Sequence, residues 1–316
     1  MDGRQADTDA SVVVVRDLVK RYGRLRAVDG LSFDVRRGEI FAVLGPNGAG
    51  KTTTLEVLEG HLAPTAGAVR VLGADPLTGG RRHRDRVGIV LQSGGLDGEL
   101  TVAESLRLYA AFYTRTLGVR KTAELVGLSE KLSAKVRTLS GGQQRRLDLG
   151  VALIGDPEVL FLDEPTTGFD PDARRQAWDM VTSLRALGKT VLLTSHYMDE
   201  VQFLADRVVV ISHGRMVAQS TPSQLGGRDL AEAVISVHMP YPGWDFDLPR
   251  GPWRARHVDG AELQLRTTKP TEAIWTLSRW AVDRGEELIG LTVTRPSLED
   301  AYLRLTRAGG GDEHPG

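Results

Sequence analysis

One stretch, "GPNGAGKT" at Gly45 to Thr52, limits what this chain can fold into more than any other. It fits G-x-x-x-x-G-K-[ST], follows the apolar run "IFAVL" and leads into "KTTTLEVLEGH", which has helical spacing. A strand, a glycine-rich turn and a helix in that order make a phosphate cradle. Gly45, Gly48 and Gly50 let the backbone of this Pro46, Asn47 and Ala49 loop bend until its N–H groups face phosphate oxygens at the positive end of the helix. Lys51 supplies a point charge for the β- and γ-phosphates, and Thr52, followed by Thr53, offers its hydroxyl to Mg²⁺.

A magnesium-bound triphosphate also needs an acidic group at the tip of a neighbouring strand, and "VLFLDEP" supplies it. Four apolar residues bury the strand, Asp163 emerges where it can hold Mg²⁺, and Glu164 follows where it can orient an attacking water. "LLTSH" ends a second apolar strand and brings His196 to the same sheet edge, within reach of a γ-phosphate. Gln92, after "VGIVL", is a further candidate for Mg²⁺ or the water. A second glycine-rich helix start, "LSGGQQRRL", offers the Ser140 hydroxyl, the Gly141 and Gly142 backbone and a helix opening near Gln143. One nucleotide normally needs only one such loop.

With "GPNGAGKT", "LSGGQ", "VLFLDE" and "TSH" in this order, residues 11–222 resemble the nucleotide-binding subunit of ATP-binding-cassette (ABC) transporters. The resemblance implies that Tyr22 of "KRYG" stacks on adenine and that Asp163 and Glu164 are the magnesium-binding acid and catalytic glutamate. It also implies that His196 is the switch histidine, that Gln92 lies between the core and a helical subdomain, and that Ser140 to Gln143 close over ATP held by a second subunit. The family's D-loop usually has leucine before its aspartate, whereas this chain has Phe169 before Asp170. "EGHLAPTAGAVRVLG" and "RPSLEDAYLRLT" are similar to ATPase subunits of ABC-2-type exporters, including the daunorubicin-resistance type. Such subunits use ATP and Mg²⁺, pair as head-to-tail homodimers, and dock on a separately encoded membrane permease.

The expected fold class is α/β: a P-loop nucleotide-binding domain with a mixed sheet core, an N-terminal antiparallel β part and a helical subdomain, plus a small C-terminal α+β domain. The expected boundaries are a flexible stretch 1–10, the nucleotide domain 11–224 with its helical subdomain at about 93–150, the accessory domain 225–308 and a disordered tail 309–316. Thr101 and Glu104 match a capping box, with Leu106, Tyr109, Ala110 and Tyr113 as the apolar face of one helix. In the C-terminal part, "AVISVHM", "AELQLRT" and "IGLTVT" read as strands, with helices at about 270–285 and over "SLEDAYLRLT".

Composition narrows the partners. A formal charge of −1 offers no global field for nucleic acid, and "RRHRDR" at 81–86 reads as a solvated loop. Absence of cysteine excludes disulfides and thiolate chemistry. The apolar runs Val12–Val15, Val159–Leu162 and Val208–Ile211 are four residues each, far below the ~20 that span a bilayer. The resemblance to exporter subunits then implies a place on the cytoplasmic face of the cell membrane, held there only through the permease. A soluble ABC ATPase acting on ribosomes or DNA is the alternative, but the chain carries neither a second cassette nor a long coiled-coil insertion. Trp244, Trp253, Trp275 and Trp280 read as the core of the C-terminal domain or as the lining of a ligand pocket.

Overall fold

The computed structural model describes residues 11–90, 95–228 and 231–309, and the chain divides into two compact units, Met1–Pro222 and Ser223–Gly316. In the first unit the order is β1 (Ser11–Tyr22), β2 (Leu25–Arg36), β3 (Ile40–Leu44), α1 (Lys51–Leu58), β4 (Ala66–Val71), α2 (Gly80–Arg84) and β5 (Val87–Val90). There follow α3 (Val102–Ala110), α4 (Val119–Leu125), α5 (Gly141–Leu153), β6 (Val159–Asp163), α6 (Pro171–Ala186), β7 (Thr190–Ser195), α7 (Met198–Leu204), β8 (Arg207–Ser212) and β9 (Arg215–Ser220).

Two sheets build the unit. One is antiparallel in the order β2-β1-β4; the other has six strands in the order β5-β6-β7-β3-β8-β9, all parallel except β9. Every residue of β3, β6 and β7 is buried, which is why these strands read as unbroken apolar runs. Each Leu or Phe in them contributes about 1.5–3 kcal/mol by leaving water. Phe33 of β2 stacks on Phe41 of β3 at 5.3 Å, and Leu55 and Leu58 of α1 join the same apolar cluster. Because β3 lies between β7 and β8, with β6 beyond β7, the C-terminal ends of β3, β6 and β7 share one edge of the sheet.

The expected fold class holds. Thr101 caps α3 through the capping box: Glu104 N–H donates to Thr101 Oγ1 at 3.2 Å and Thr101 N–H to Glu104 Oε2 at 2.8 Å. That helix ends at Ala110, so Tyr113 is not on its face; its ring instead packs at Gly155, where a side chain would collide with it. The 81–86 stretch also differs from expectation. Its first residues fold into α2 with His83 buried, and Arg86 is tied to Glu158.

The second unit contains β10 (Ala233–His238), β11 (Ala255–Asp259), β12 (Glu262–Thr267), α8 (Pro270–Asp283), β13 (Thr292–Thr294) and α9 (Leu298–Gly309). Its sheet is antiparallel in the order β11-β12-β10-β13. Strand β11 has no counterpart in the sequence reading. Ile235, Val237, Leu263 and Leu265 face Ala273 and Leu277 of α8, and Trp244, Trp253 and Trp280 belong to this core. Trp275 is exposed. The core reading of the tryptophans therefore holds for three of the four. The expected N-terminal stretch 1–10 and residues 310–316 of the expected tail lie outside the described residues, whereas Gly309 closes α9.

Candidate functional site

The loop between β3 and α1 is shaped by what surrounds it. Gly50 has φ +98°, and a Cβ there would lie 2.3 Å from the Ala27 carbonyl oxygen. Gly45 is pressed against Ile211, whose carbonyl oxygen would lie 2.5 Å from an added Cβ. Only glycine fits either close approach, and Gly48, at φ +79°, takes the same left-handed backbone in open space. The loop is braced from behind by the β8–β9 turn, where Gly214 N–H donates to Ala49 O at 3.1 Å.

Lys51, the first residue of α1, is buried, and its ammonium donates to Gly45 O at 2.9 Å and Pro46 O at 3.2 Å. It also lies 3.2 Å from Glu164 Oε1. On the other side, His196 Nδ1 lies 3.2 Å from Glu164 Oε2. Glu164 thus touches both Lys51, at the start of α1, and His196, just beyond the end of β7. Burial alone would push the Glu164 carboxyl up, but hydrogen bonding to His196 and the Lys51 charge hold it below the usual glutamate range. Glu164 is ionised at neutral pH. Its backbone has φ +45°, a conformation that costs an L-residue about 1–2 kcal/mol and that clusters at functional sites. The turn is held by Thr167, whose hydroxyl donates to Glu164 Oε2 at 3.1 Å.

Asp163 ends β6 buried, and the Thr52 hydroxyl donates to its Oδ2 at 3.3 Å. A second hydroxyl, Thr194 Oγ1, donates to Asp163 Oδ1 at 2.5 Å and accepts the Glu164 N–H at 2.9 Å. The sequence reading quoted Thr194 only as part of a strand. Its signal was the register of the parallel pair β6–β7, which sets Thr194 directly opposite Asp163. A carboxylate, with hydroxyls beside it, is the hard-oxygen set that suits Mg²⁺. Among the described residues no group of three or more His, Cys, Asp or Glu side chains is arranged to hold a metal ion by itself, so the remaining ligands would come from phosphates and water. Gln92 lies outside the described residues. Thr53 follows on α1, and Tyr22 ends β1 half exposed, with the Lys20 ammonium 5.4 Å from its ring centre.

The second glycine-rich stretch opens α5. Ser140 is its N-cap: Gln143 N–H donates to Ser140 Oγ at 3.3 Å and Ser140 N–H to Gln143 Oε1 at 3.1 Å. Gln143 is thereby committed to the cap, while the Ser140 hydroxyl retains its own proton to donate. Asp170 caps α6 in the same way, its Oδ1 accepting from Ala173 N–H at 2.8 Å. A cleft of about 690 Å³ runs between these two helix starts, with Ser140, Gly141, Gly142, Phe169 and Asp170 in its walls. No residue of the phosphate loop lines it.

Comparison with known proteins agrees with this geometry. Residues 28–167 match the family model described as ABC transporter, and residues 233–297 match the ABC transporter domain-containing protein-like C-terminal domain. The chain is 40% identical over 304 residues to Nod factor export ATP-binding protein I of Ralstonia nicotianae, covering 93% of this chain and 94% of that protein. Identity to the protein of the same name from Burkholderia pseudomallei is 46% over 294 residues, covering 91% and 94%. Among solved structures, the ATP-binding subunit of an ABC transporter superposes with a TM-score of 0.62 at 27% identity, over 68% of this chain and 92% of that one. A dimeric ATP-binding cassette in a post-hydrolysis state, bound to ADP and Pi, gives 0.59 at 25% identity, over 66% and 98%.

Proposed function

This chain belongs to the ABC transporters as an ATP-binding subunit, and we propose that its ATP hydrolysis drives export of a lipid-like or other small molecule through a separate ABC-2-type membrane permease. The observation that carries this reading is the Glu164 carboxylate, held 3.2 Å from both Lys51 and His196 beside Asp163. Phosphoryl transfer to water asks the protein to orient the water and to neutralise charge, and this cluster has a group for each task. Glu164, kept ionised, accepts a proton from the attacking water. Lys51 and the loop N–H groups draw on the β- and γ-phosphates, and His196 reports the γ-phosphate to the end of β7. Thr52 and Asp163 would hold Mg²⁺, which offsets phosphate charge when bound. Tyr22 is assigned to adenine, Gln92 to the link with the permease.

The export direction follows the Nod factor export proteins, which are alike over nearly their whole length. No helix among the described residues is long and apolar enough to cross a membrane, in keeping with a peripheral subunit that docks on a permease at the cytoplasmic face. A daunorubicin-type drug is a second cargo class, favoured by the C-terminal "RPSLEDAYLRLT".

The cleft at Ser140 and Asp170 belongs to a second subunit's nucleotide. Its walls contain none of the phosphate loop, so a head-to-tail homodimer completes two sites, each with Lys51 from one protomer and Ser140 from its partner. The test is Glu164→Gln. It should bind ATP with Mg²⁺ at wild-type affinity, accumulate as an ATP-bound dimer, and lose about 10²–10⁴-fold in turnover. Wild-type turnover in this variant would overturn the assignment of the base.

A further inference from the structure

One buried carboxylate takes no part in the chemistry above. Glu200, on α7, is 1% exposed. Its Oε1 accepts two hydrogen bonds, from Thr166 Oγ1 at 2.8 Å and from the Trp178 indole N–H at 3.2 Å. These donors come from different elements. Thr166 lies two residues beyond Glu164 in the catalytic turn and is itself 1% exposed. Trp178 lies on α6, the helix that Asp170 caps, and stacks on Phe203 of α7 at 5.1 Å. Glu200 itself lies four residues beyond His196, in the first turn of α7. Burial raises its carboxyl above the usual range, and the hydrogen bonds from Thr166 and Trp178 work against that rise.

A carboxylate with so little access to water is costly unless it holds something in place. The segments it joins are the three that carry Glu164, Asp170 and His196. A parallel grip runs beside it: Arg174 of α6 packs over the Tyr197 ring at 4.3 Å and pairs with Asp199 at 3.4 Å. Helix α6 thus holds the segment 197–200 at two points.

We propose that Glu200 is a positioning residue for ATP hydrolysis, pinning the Glu164 turn, the His196 strand end and helix α6 into one block so that Glu164 and His196 stay in contact. This rests on the ATPase reading. It makes no demand on nucleotide binding, because its two bonds go to Thr166 and Trp178 and neither reaches the phosphate loop. What the site needs from Glu200 is an acceptor at Oε1, and an amide oxygen supplies one as well as a carboxylate does.

The full-length chain is therefore compared with Glu200→Ala and Glu200→Gln, measuring kcat and KM for MgATP. The alanine variant should lose at least tenfold in kcat with KM within twofold, and the glutamine variant should stay within threefold of wild type in both. Wild-type kcat in Glu200→Ala, or equal loss in the two variants, would overturn the proposal. Should Glu200→Ala fail to fold, Thr166→Val and Trp178→Phe each delete one of the two bonds; kcat at wild-type level in both overturns it equally. Hydrogen exchange of the nucleotide-free chain separates this from the ATPase reading. In Glu200→Ala, or in Thr166→Val and Trp178→Phe where that variant does not fold, exchange should rise selectively in peptides covering 164–170 and 195–197, and Glu200→Gln should match wild type. That result is expected even of a chain that hydrolyses no ATP, and unchanged exchange sinks the positioning role by itself.

Discussion

Gly48 and Gly50 sit two residues apart in the same loop, both with left-handed backbone, yet the structure predicts very different costs for replacing them by alanine. An L side chain at a left-handed backbone costs roughly 1–2 kcal/mol, and at Gly48 that is the whole effect, since an added Cβ would meet nothing within 4 Å. At Gly50 the same Cβ would lie 2.3 Å from the Ala27 carbonyl oxygen and 3.5 Å from a Val28 methyl. The carbonyl is main chain within β2, at an irregularity between the pairs Lys20–Val28 and Arg21–Arg26, so relieving the contact means shifting the strand backbone and not a side-chain tip. Overpacking of that kind adds about 1–3 kcal/mol. Gly48→Ala should therefore destabilise the chain by about 1–2 kcal/mol and Gly50→Ala by about 2–5 kcal/mol, a large fraction of a typical domain's 5–15 kcal/mol. Urea unfolding measures the difference. ATP affinity measured alongside should fall at least tenfold in Gly50→Ala, because relieving the clash moves the start of α1 and Lys51 with it. Equal destabilisation by the two substitutions, or normal ATP affinity in Gly50→Ala, would refute the claim that β2 dictates the shape of the phosphate loop.

Two further outcomes are expected. Glu158 is held down to about 2 by hydrogen bonding to Arg86, against a smaller rise from burial, with Arg37 adding to the effect. A carboxyl lowered on folding contributes stability above its ordinary value near 4.5 and loses it as pH falls toward 2. Since the pair is partly solvated, Glu158→Gln should cost only about 1 kcal/mol at pH 7. The gap from wild type should close below pH 4.5; thermal unfolding at pH 7 and pH 3 measures both. Composite sites are checked by mixing Lys51→Ala with Ser140→Arg subunits. Each homodimer lacks two intact sites, whereas the heterodimer has one, so ATP-dependent pairing should return on mixing; its absence would count against the head-to-tail arrangement.

Much of this was legible in the sequence because it depends on local order. "GPNGAGKT" needs an apolar strand before it and a helix after it, and β3 and α1 are found there. The unbroken apolar runs ending at Asp163 and Ser195 announced parallel strands, and parallel strands bring their ends to one edge. Other features depended on relations that no local window contains. Thr194 gains its meaning from register, facing Asp163 across two strands. Strand β11 is short, interrupted by charge and paired on one side only, so its existence is decided by β12 and not by its own apolar pattern. Helix α3 stops at Ala110 although apolar spacing continues to Tyr113, because that ring finds its place at Gly155.

Glu200 marks the boundary between these two kinds of legibility. A glutamate four residues beyond a histidine reads as the polar face of a helix, and nothing in "SHYMDEV" says that it is enclosed. Its burial comes from Trp178, more than twenty residues earlier in the chain, and from the turn that places Thr166 after Glu164. The same three segments must move together if a γ-phosphate sensed at His196 is to be felt at Asp170, which faces the partner protomer in the proposed dimer. A buried acceptor shared by those segments is a physical means of moving them as one. On this reading, the catalytic turn and the dimer-facing helix respond to one event because they hang from one oxygen atom.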